Sequence, residues 1–315
     1  MKRIYALSIV FCLFASMAMA QTEKRLVKMK DGADWTEMKY HADGKLFTFT
    51  QTDHLDSGKQ KIYVNTFTYN TNQIVMKCVT DNDPSMTDTW TSTLKNGLVE
   101  KDVVNINGNP DNDIFEYTYD TQRQLVRIKR TNDHTTSVTT VDITWKNGDI
   151  ATVKTTNNGK LMDEERYEYD TANDNKEIRV YLSPLASILS YEALSPAGQL
   201  REGTYGVLCK HLYKASYVKS YSDPGPVQEV QDAAFTFTRN AEGLVTHISQ
   251  LLNGDPQTNE YDLEWEDVTT GIAVNTATSA QSATYYNIEG VRLAQPERGL
   301  NIVRNADGSV RKVMR

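Results

Sequence analysis

The sequence predicts an all-β chain: an antiparallel meander of repeated β-hairpins forming a curled sheet or partly closed barrel, with a small C-terminal β module. Three features carry that expectation. Apolar and polar residues alternate with period two along many short segments. Asn- and Gly-containing turns punctuate those segments. The two together recur at intervals of 24–29 residues over the first part of the chain.

The chain begins with Lys2 and Arg3, an apolar run from Ile4 to Phe14, and the small-x-small sequence Ala18-Met19-Ala20. This is the pattern of a secretory signal peptide over residues 1–20, with Gln21 opening the mature protein, and the run is too short to span a bilayer. Cys12 lies inside the apolar run rather than directly after the cleavage site, which argues against a lipoprotein.

Residues 21–267 form the repeat domain. Phe115, Tyr117 and Tyr119 alternate with Glu116 and Thr118; Val141, Ile143 and Trp145 alternate with Asp142 and Thr144; Tyr261, Leu263 and Trp265 alternate with Asp262 and Glu264. Successive side chains of a strand point to opposite faces, so each run reads as a half-buried strand. The turns His41-Ala42-Asp43-Gly44, Lys95-Asn96-Gly97, Lys146-Asn147-Gly148, Asn157-Asn158-Gly159 and Ala241-Glu242-Gly243 carry residues suited to positive φ, as tight hairpins require. Each unit closes on an aromatic residue or leucine. These anchors are Tyr40, Tyr69, Leu94, Tyr119, Trp145, Tyr169 and later Phe237, and at the tyrosines a ring can face the core while its hydroxyl reaches water. One segment differs: Ser183-Pro184 followed by Leu185, Ile188, Leu189 and Glu192 reads as a short capped helix. Tyr205 to Tyr221 returns to β-like composition, and Asp223-Pro224-Gly225-Pro226 makes a turn.

Residues 268–283 turn small and polar and read as a linker. Residues 284–315 form the C-terminal module, with hairpins around Glu289-Gly290 and across Asn305-Ala306-Asp307-Gly308. Six basic against three acidic residues give this tail a charge of +3, so the −7 of the whole chain conceals −12 in residues 21–283. An acidic body argues against nucleic-acid binding, which needs a basic face. The 39% hydrophobic content argues against disorder. Cys78 and Cys209, the cysteines left in the mature chain, have two open readings: a disulfide in an oxidising compartment, or separate buried thiols.

The unit Tyr-x-Tyr-Asp at Tyr117–Asp120 and Tyr167–Asp170, each followed by a polar turn, resembles the YD-type repeats of bacterial surface proteins. With the leader, and with Gly206-Val207-Leu208-Cys209-Lys210-His211 running into Leu212-Tyr213, the region from Lys24 to Asp267 resembles a family of secreted Bacteroidota proteins. That family is a domain of unknown function with a porin-like β fold. The repeat is degenerate: Thr121-Gln122-Arg123-Gln124 lacks the turn glycine, and Asn173-Asp174 replaces it in the next unit. In the tail, Tyr285 to Leu293, Pro296 and Arg298 to Val303 resemble short C-terminal modules related to type IX sorting domains. The resemblance implies export and delivery to the outer surface.

Few residues suggest chemistry. Glu260, Asp262, Glu264 and Glu266 share one strand face, either as a seat for a cation or basic partner or as a solvated face set against residues such as Arg127 and Lys129. Asp81-Asn82-Asp83 and Asp111-Asn112-Asp113 lack the glycine at position six and the carboxylate at position twelve of a calcium loop, and read as Asx turns. His41, His54, His134, His211 and His247 share no metal-ligand spacing, and His41 and His134 fall in solvated turns. The aromatic stripes would suit a glycan-stacking platform, but their in–out alternation favours the inner face of the sheet. A membrane-spanning barrel is disfavoured by Thr and charged residues interrupting the apolar faces and by a basic last hairpin.

The expected protein is thus a secreted or cell-surface β-repeat protein of unknown activity, a non-catalytic binding or envelope-associated protein whose ligand is unidentified, with a glycan or surface protein as the candidates, and without nucleic acid, cofactor, metal or membrane span. No catalytic, cofactor-binding or metal-ligating residue is assigned. The tail would contact the export machinery. The alternatives are an extracytoplasmic hydrolase whose site is dispersed over distant strands and a structural component of the cell envelope.

Overall fold

Period-two alternation becomes sixteen consecutive antiparallel strands that close on themselves. The computed structural model describes residues 21–55, 58–81, 83–108, 112–173, 178–179, 182, 184–185, 203–221, 227–270, 284–286, 292–293, 300–304 and 310–314. The expected leader, the 223–226 turn and most of the 268–283 linker lie outside the described residues. The strands are β1 (Gln21–Asp31), β2 (Asp34–Tyr40), β3 (Leu46–His54), β4 (Gln60–Asn70), β5 (Gln73–Thr80), β6 (Asp83–Lys95), β7 (Leu98–Asn105) and β8 (Asn112–Tyr119). They continue as β9 (Leu125–Asn132), β10 (Val138–Lys146), β11 (Asp149–Asn157), β12 (Lys160–Tyr169), β13 (Tyr213–Ser220), β14 (Glu229–Arg239), β15 (Val245–Leu252) and β16 (Thr258–Thr270).

Each strand pairs with its sequence neighbours, and β1 pairs with β16 from Gln21↔Thr270 to Asp31↔Tyr261. The barrel is therefore closed, where the sequence left a curled sheet or partly closed barrel. Closure has a chemical basis in the end strands. Lys24 and Lys30 of β1 meet Asp267 and Glu264 of β16. Pairing the ends also removes the two unpaired edges an open sheet would expose.

The aromatic anchors explain the repeat. Tyr40, Tyr69, Tyr119 and Tyr169 donate their hydroxyls to the carbonyls of Leu26, Leu46, Val99 and Ile150 in the preceding strand, at 2.6–3.0 Å. Trp145 and Trp265 use the indole N–H on Leu125 and Val245 in the same way, at 2.9 and 2.7 Å. All six accepting residues are at most 1% exposed. This corrects the expectation that the anchor hydroxyls reach water. Leu94 and Phe237 hold equivalent places without a polar tip and pack on the core. A bulge accompanies most anchors. Tyr40 faces Leu46, Leu94 faces Val99, Tyr119 faces Leu125 and Trp145 faces Ile150, each with one residue skipped on the opening strand. Such bulges bend a strand and re-aim its end, here around one rim. Replacing Tyr119 with phenylalanine is expected to cost about 1 kcal/mol, a typical net hydrogen bond, in urea unfolding.

The turn that lacks a glycine is built like the others. Asp120 accepts from the backbone N–H of Gln122 and Gln124, and Arg123 takes the left-handed conformation, φ 63°. In the turn after β14, Asn240 caps Glu242 and Leu244 identically, with Gly243 at φ 83°.

One face of the strands forms a continuous core that includes Met38, Phe49, Phe67, Trp90, Ile128, Ile143, Phe235 and Leu263. The opposite, outward face is polar and charged. The connection between β12 and β13 joins the core through Ile178, Leu185, Tyr205, Cys209 and Leu212, all 0% exposed. Of the expected 183–192 helix, Pro184 and Leu185 are helical and the remainder lies outside the described residues. Residues 203–212 are irregular rather than extended, so the β-like composition after Tyr205 misleads until β13 begins.

The chain divides after Gly271. The second unit holds a four-stranded antiparallel sheet of β17 (Thr284–Tyr286), β18 (Arg292–Leu293), β19 (Leu300–Arg304) and β20 (Val310–Met314), ordered β18-β17-β19-β20.

Candidate functional site

The barrel has two unlike ends. At one, the hairpin turns after β6, β8 and β10 are met by residues 203–212. Thr204 and Arg123 carbonyls accept from Val99 and Val207 N–H, Lys210 N–H reaches the Gly148 carbonyl, and the Leu212 carbonyl accepts from Asp170 N–H. This strap is seated against the core through Tyr205, Cys209 and Leu212. Gly206 makes the seat tight. At φ 90° it lies so near β8 that an added Cβ would overlap the Arg123 carbonyl oxygen and stand 3.3 Å from the Tyr119 ring.

Below the strap sits a buried polar cluster. Asp102 is 0% exposed, and its Oδ2 accepts the hydroxyls of Tyr117 at 2.7 Å and Tyr205 at 2.5 Å. Its Oδ1 has no hydrogen-bond partner of good geometry. Burial pushes the carboxyl above its ordinary range, and the donors Tyr205, Ser92, Tyr117 and Trp90 pull it back only in part. The tyrosine rings of the cluster meet edge to face at 5.2 Å. The arrangement ties the strap to β7 and β8.

Two further groups lie at this end. Asp149 accepts from His211 twice, through backbone N–H and through Nδ1, both at 2.9 Å. Cys209 lies 3.8 Å from the Tyr169 hydroxyl. No disulfide joins Cys209 to Cys78, which resolves the two readings in favour of separate cysteines.

At the other end, the mouth, the inward-facing positions become polar. Asp113 binds Arg130 and Asn132. Glu165 accepts the Tyr167 hydroxyl, while burial and the charges of Asp232 and Asp163 raise its pKa. Asp34 accepts from the backbone N–H and Nδ1 of His54, whose Nε2 faces the Gln60 amide at 2.7 Å.

The carboxylate row of β16 is outward, and its Glu260, Asp262 and Glu264 are ion-paired, but not with Arg127 or Lys129. Those two bind Asp142 and Glu116 several strands away. Glu264 takes Lys30, and His247 bridges Asp262 through Nδ1 and Glu260 through Nε2, both at 2.8 Å. The single-strand pattern named the row correctly but could not identify its partners, because register between distant segments is not local. Ser249 also donates to Glu260. A carboxylate at each ring nitrogen requires both to donate, so the geometry selects imidazolium. His247 is accordingly raised from 6.5, first by the Asp262 hydrogen bond and then by Glu260. Proton NMR should place its midpoint above 6.5, falling on Asp262→Asn. The pair's stabilisation is present below the unfolded value and lost as pH rises through the folded one.

The other sequence candidates resolve simply. Asp83 accepts from Ser85 N–H as a turn-forming Asx residue does, but Asp81 accepts from Ile62 N–H on the neighbouring strand and Asp113 is a strand residue paired with Arg130; Asn82 and Asp111 lie outside the described residues. His134 is exposed, but His41 is half-buried, 4.7 Å from the Phe47 ring. The aromatic stripes line the inner face, with Phe115, Tyr117 and Leu263 at most 8% exposed. Among the described residues no three His, Cys, Asp or Glu side chains gather as a metal site. Sequence reasoning missed Asp102, Tyr205 and the strap; the available signal was that Asp102 shares its alternation face with Val104.

A family model described as a domain of unknown function (DUF4595) with porin-like fold matches residues 38–247. Among solved structures, a porin-like protein from Bacteroides uniformis is similar with a TM-score of 0.53 at 16% identity, over 77% of this chain and 97% of that one. A porin-like protein from Bacteroides vulgatus gives a TM-score of 0.53 at 12% identity, over 78% of this chain and 99% of that one. At these identities the likeness concerns the fold alone. Among curated proteins no relative matches the sequence.

Proposed function

Since the chain belongs to the family of domains of unknown function with porin-like fold, we propose that it is an exported, water-facing barrel that binds a partner at the cell envelope, without spanning a membrane, conducting or catalysing. The orientation of the barrel wall carries this reading. Mid-strand outward positions hold ion pairs such as Glu116–Lys129, Arg127–Asp142 and Lys154–Glu164. In a lipid-facing wall each basic residue at mid-depth would cost about 2–4 kcal/mol. The apolar residues instead fill the inside, where a conducting barrel keeps water, and the strap packs on that core across the turns of one end. The fold is porin-like while its polarity is inverted.

Export rests on the leader-like residues 1–20, and delivery on the resemblance of residues 284–315 to sorting modules. The hydrolase alternative draws no support from the histidines: His54, His211 and His247 pair with carboxylates at three separate places. Planar-bilayer recording tests the reading. Purified protein is expected to leave the bilayer silent, and stepwise conductance would overturn the proposal.

A further inference from the structure

We propose that the barrel mouth is a docking surface for a basic, amphipathic polypeptide segment, an inference that rests on the binding role above. The carrying observation is where apolar side chains meet water. Of the eight exposed large hydrophobic residues among those described, six stand at the mouth: Leu55, Met86, Ile106, Val227, Val230 and Leu251. Scattered singly, such residues need no explanation; gathered on one end, they mark an interaction surface. Leu55, Met86 and Ile106 belong to three successive mouth connections, after β3, at the start of β6 and after β7. By alternation they share the inward face with Asp53, Trp90 and Val104, so they form a lip above the polar inner wall.

Charge selects the occupant. Along this arc stand Asp53, Asp81, Asp83 and Asp88, with Asp31 and Asp34 on the adjoining hairpin, against Lys59 and Lys61. The strap end differs in being balanced: Lys45, Lys95, Arg123, Lys146 and Lys210 on its turns are offset by Asp43, Asp120, Asp149, Asp170 and Glu242. An acidic surface repels anionic lipid and attracts a cationic chain, and the apolar lip gives that chain's hydrophobic side chains a place to bury. The complement is a segment in which basic and apolar residues alternate.

Calorimetric titration of the mature chain tests this with two synthetic peptides, one alternating Leu and Lys, the other Leu and Glu. The Leu/Lys peptide is expected to bind, more weakly at high salt, and the Leu/Glu peptide to be ignored. The variant Leu55→Ser/Met86→Ser/Ile106→Ser, altered only at exposed sites, should lose at least about tenfold in affinity, or 1.4 kcal/mol. Phe47→Ser at the strap end should bind as the parent does. Equal affinity for both peptides, an unaffected lip variant, or capture by lipid vesicles in place of the peptide would overturn the proposal. A protein that stays silent in bilayers yet ignores the peptide loses this inference alone, whereas conductance removes the binding role itself.

Discussion

Gly206→Ala is expected to destabilise the barrel by about 2–5 kcal/mol, combining a left-handed alanine at about 1–2 kcal/mol with overpacking at about 1–3 kcal/mol. Gly206 has φ 90°, and a Cβ there would run into the Arg123 carbonyl, which is backbone and cannot step aside. Gly243 supplies the comparison. It has φ 83°, but nothing lies within 4 Å of the place an alanine methyl would take, so Gly243→Ala should cost only about 1–2 kcal/mol. Urea unfolding of the two variants isolates the steric part. Equal losses would mean that the strap is not seated against β8 as described.

Asp102→Ala is expected to cost about 2–6 kcal/mol, because it strands the buried hydroxyls of Tyr117 and Tyr205 without an acceptor, each at about 1–3 kcal/mol. The triple variant Asp102→Leu/Tyr117→Phe/Tyr205→Phe removes the donors with the acceptor and should recover most of that loss, since an apolar replacement of a whole buried network is often near neutral. Asp102 also imposes a pH slope. Its native carboxyl is raised by burial, so the native state holds the proton more tightly than the unfolded chain. Stability from this group is greatest below the unfolded value of about 3.9 and falls as pH rises toward the native value. Asp102→Asn should flatten that part of the stability profile. A triple variant as unstable as Asp102→Ala would contradict the network.

The strands, most turns and the repeat were legible because they are local. Alternation in Phe115–Tyr119 or Tyr261–Trp265 specifies a strand and its buried face without knowledge of any partner. The anchors were legible as positions but not as bonds: Tyr119 recurs where Tyr69 does, yet its acceptor, Val99, is identified only once register is known. Closure stayed open for the same reason. The basic residues of β1 and the acids of β16 are more than 200 residues apart in sequence, and no periodicity links them. The strap was least legible. Tyr205 and Leu212 carry strand-like composition, but their burial comes from the turns they cross rather than from a ladder.

The barrel is apolar within and charged without. Thiol labelling tests this most directly, with single cysteines at outward Thr118 or inward Ile128 in a chain whose Cys78 and Cys209 are replaced by alanine. Thr118 is exposed and Ile128 is 3% exposed on the neighbouring strand. A water-soluble maleimide is expected to modify the Thr118 site quickly, with or without liposomes, and to leave the Ile128 site unmodified until the protein unfolds. Protection of the Thr118 site by liposomes together with rapid labelling at Ile128 would contradict it, because that is the pattern of a water-filled, lipid-facing barrel.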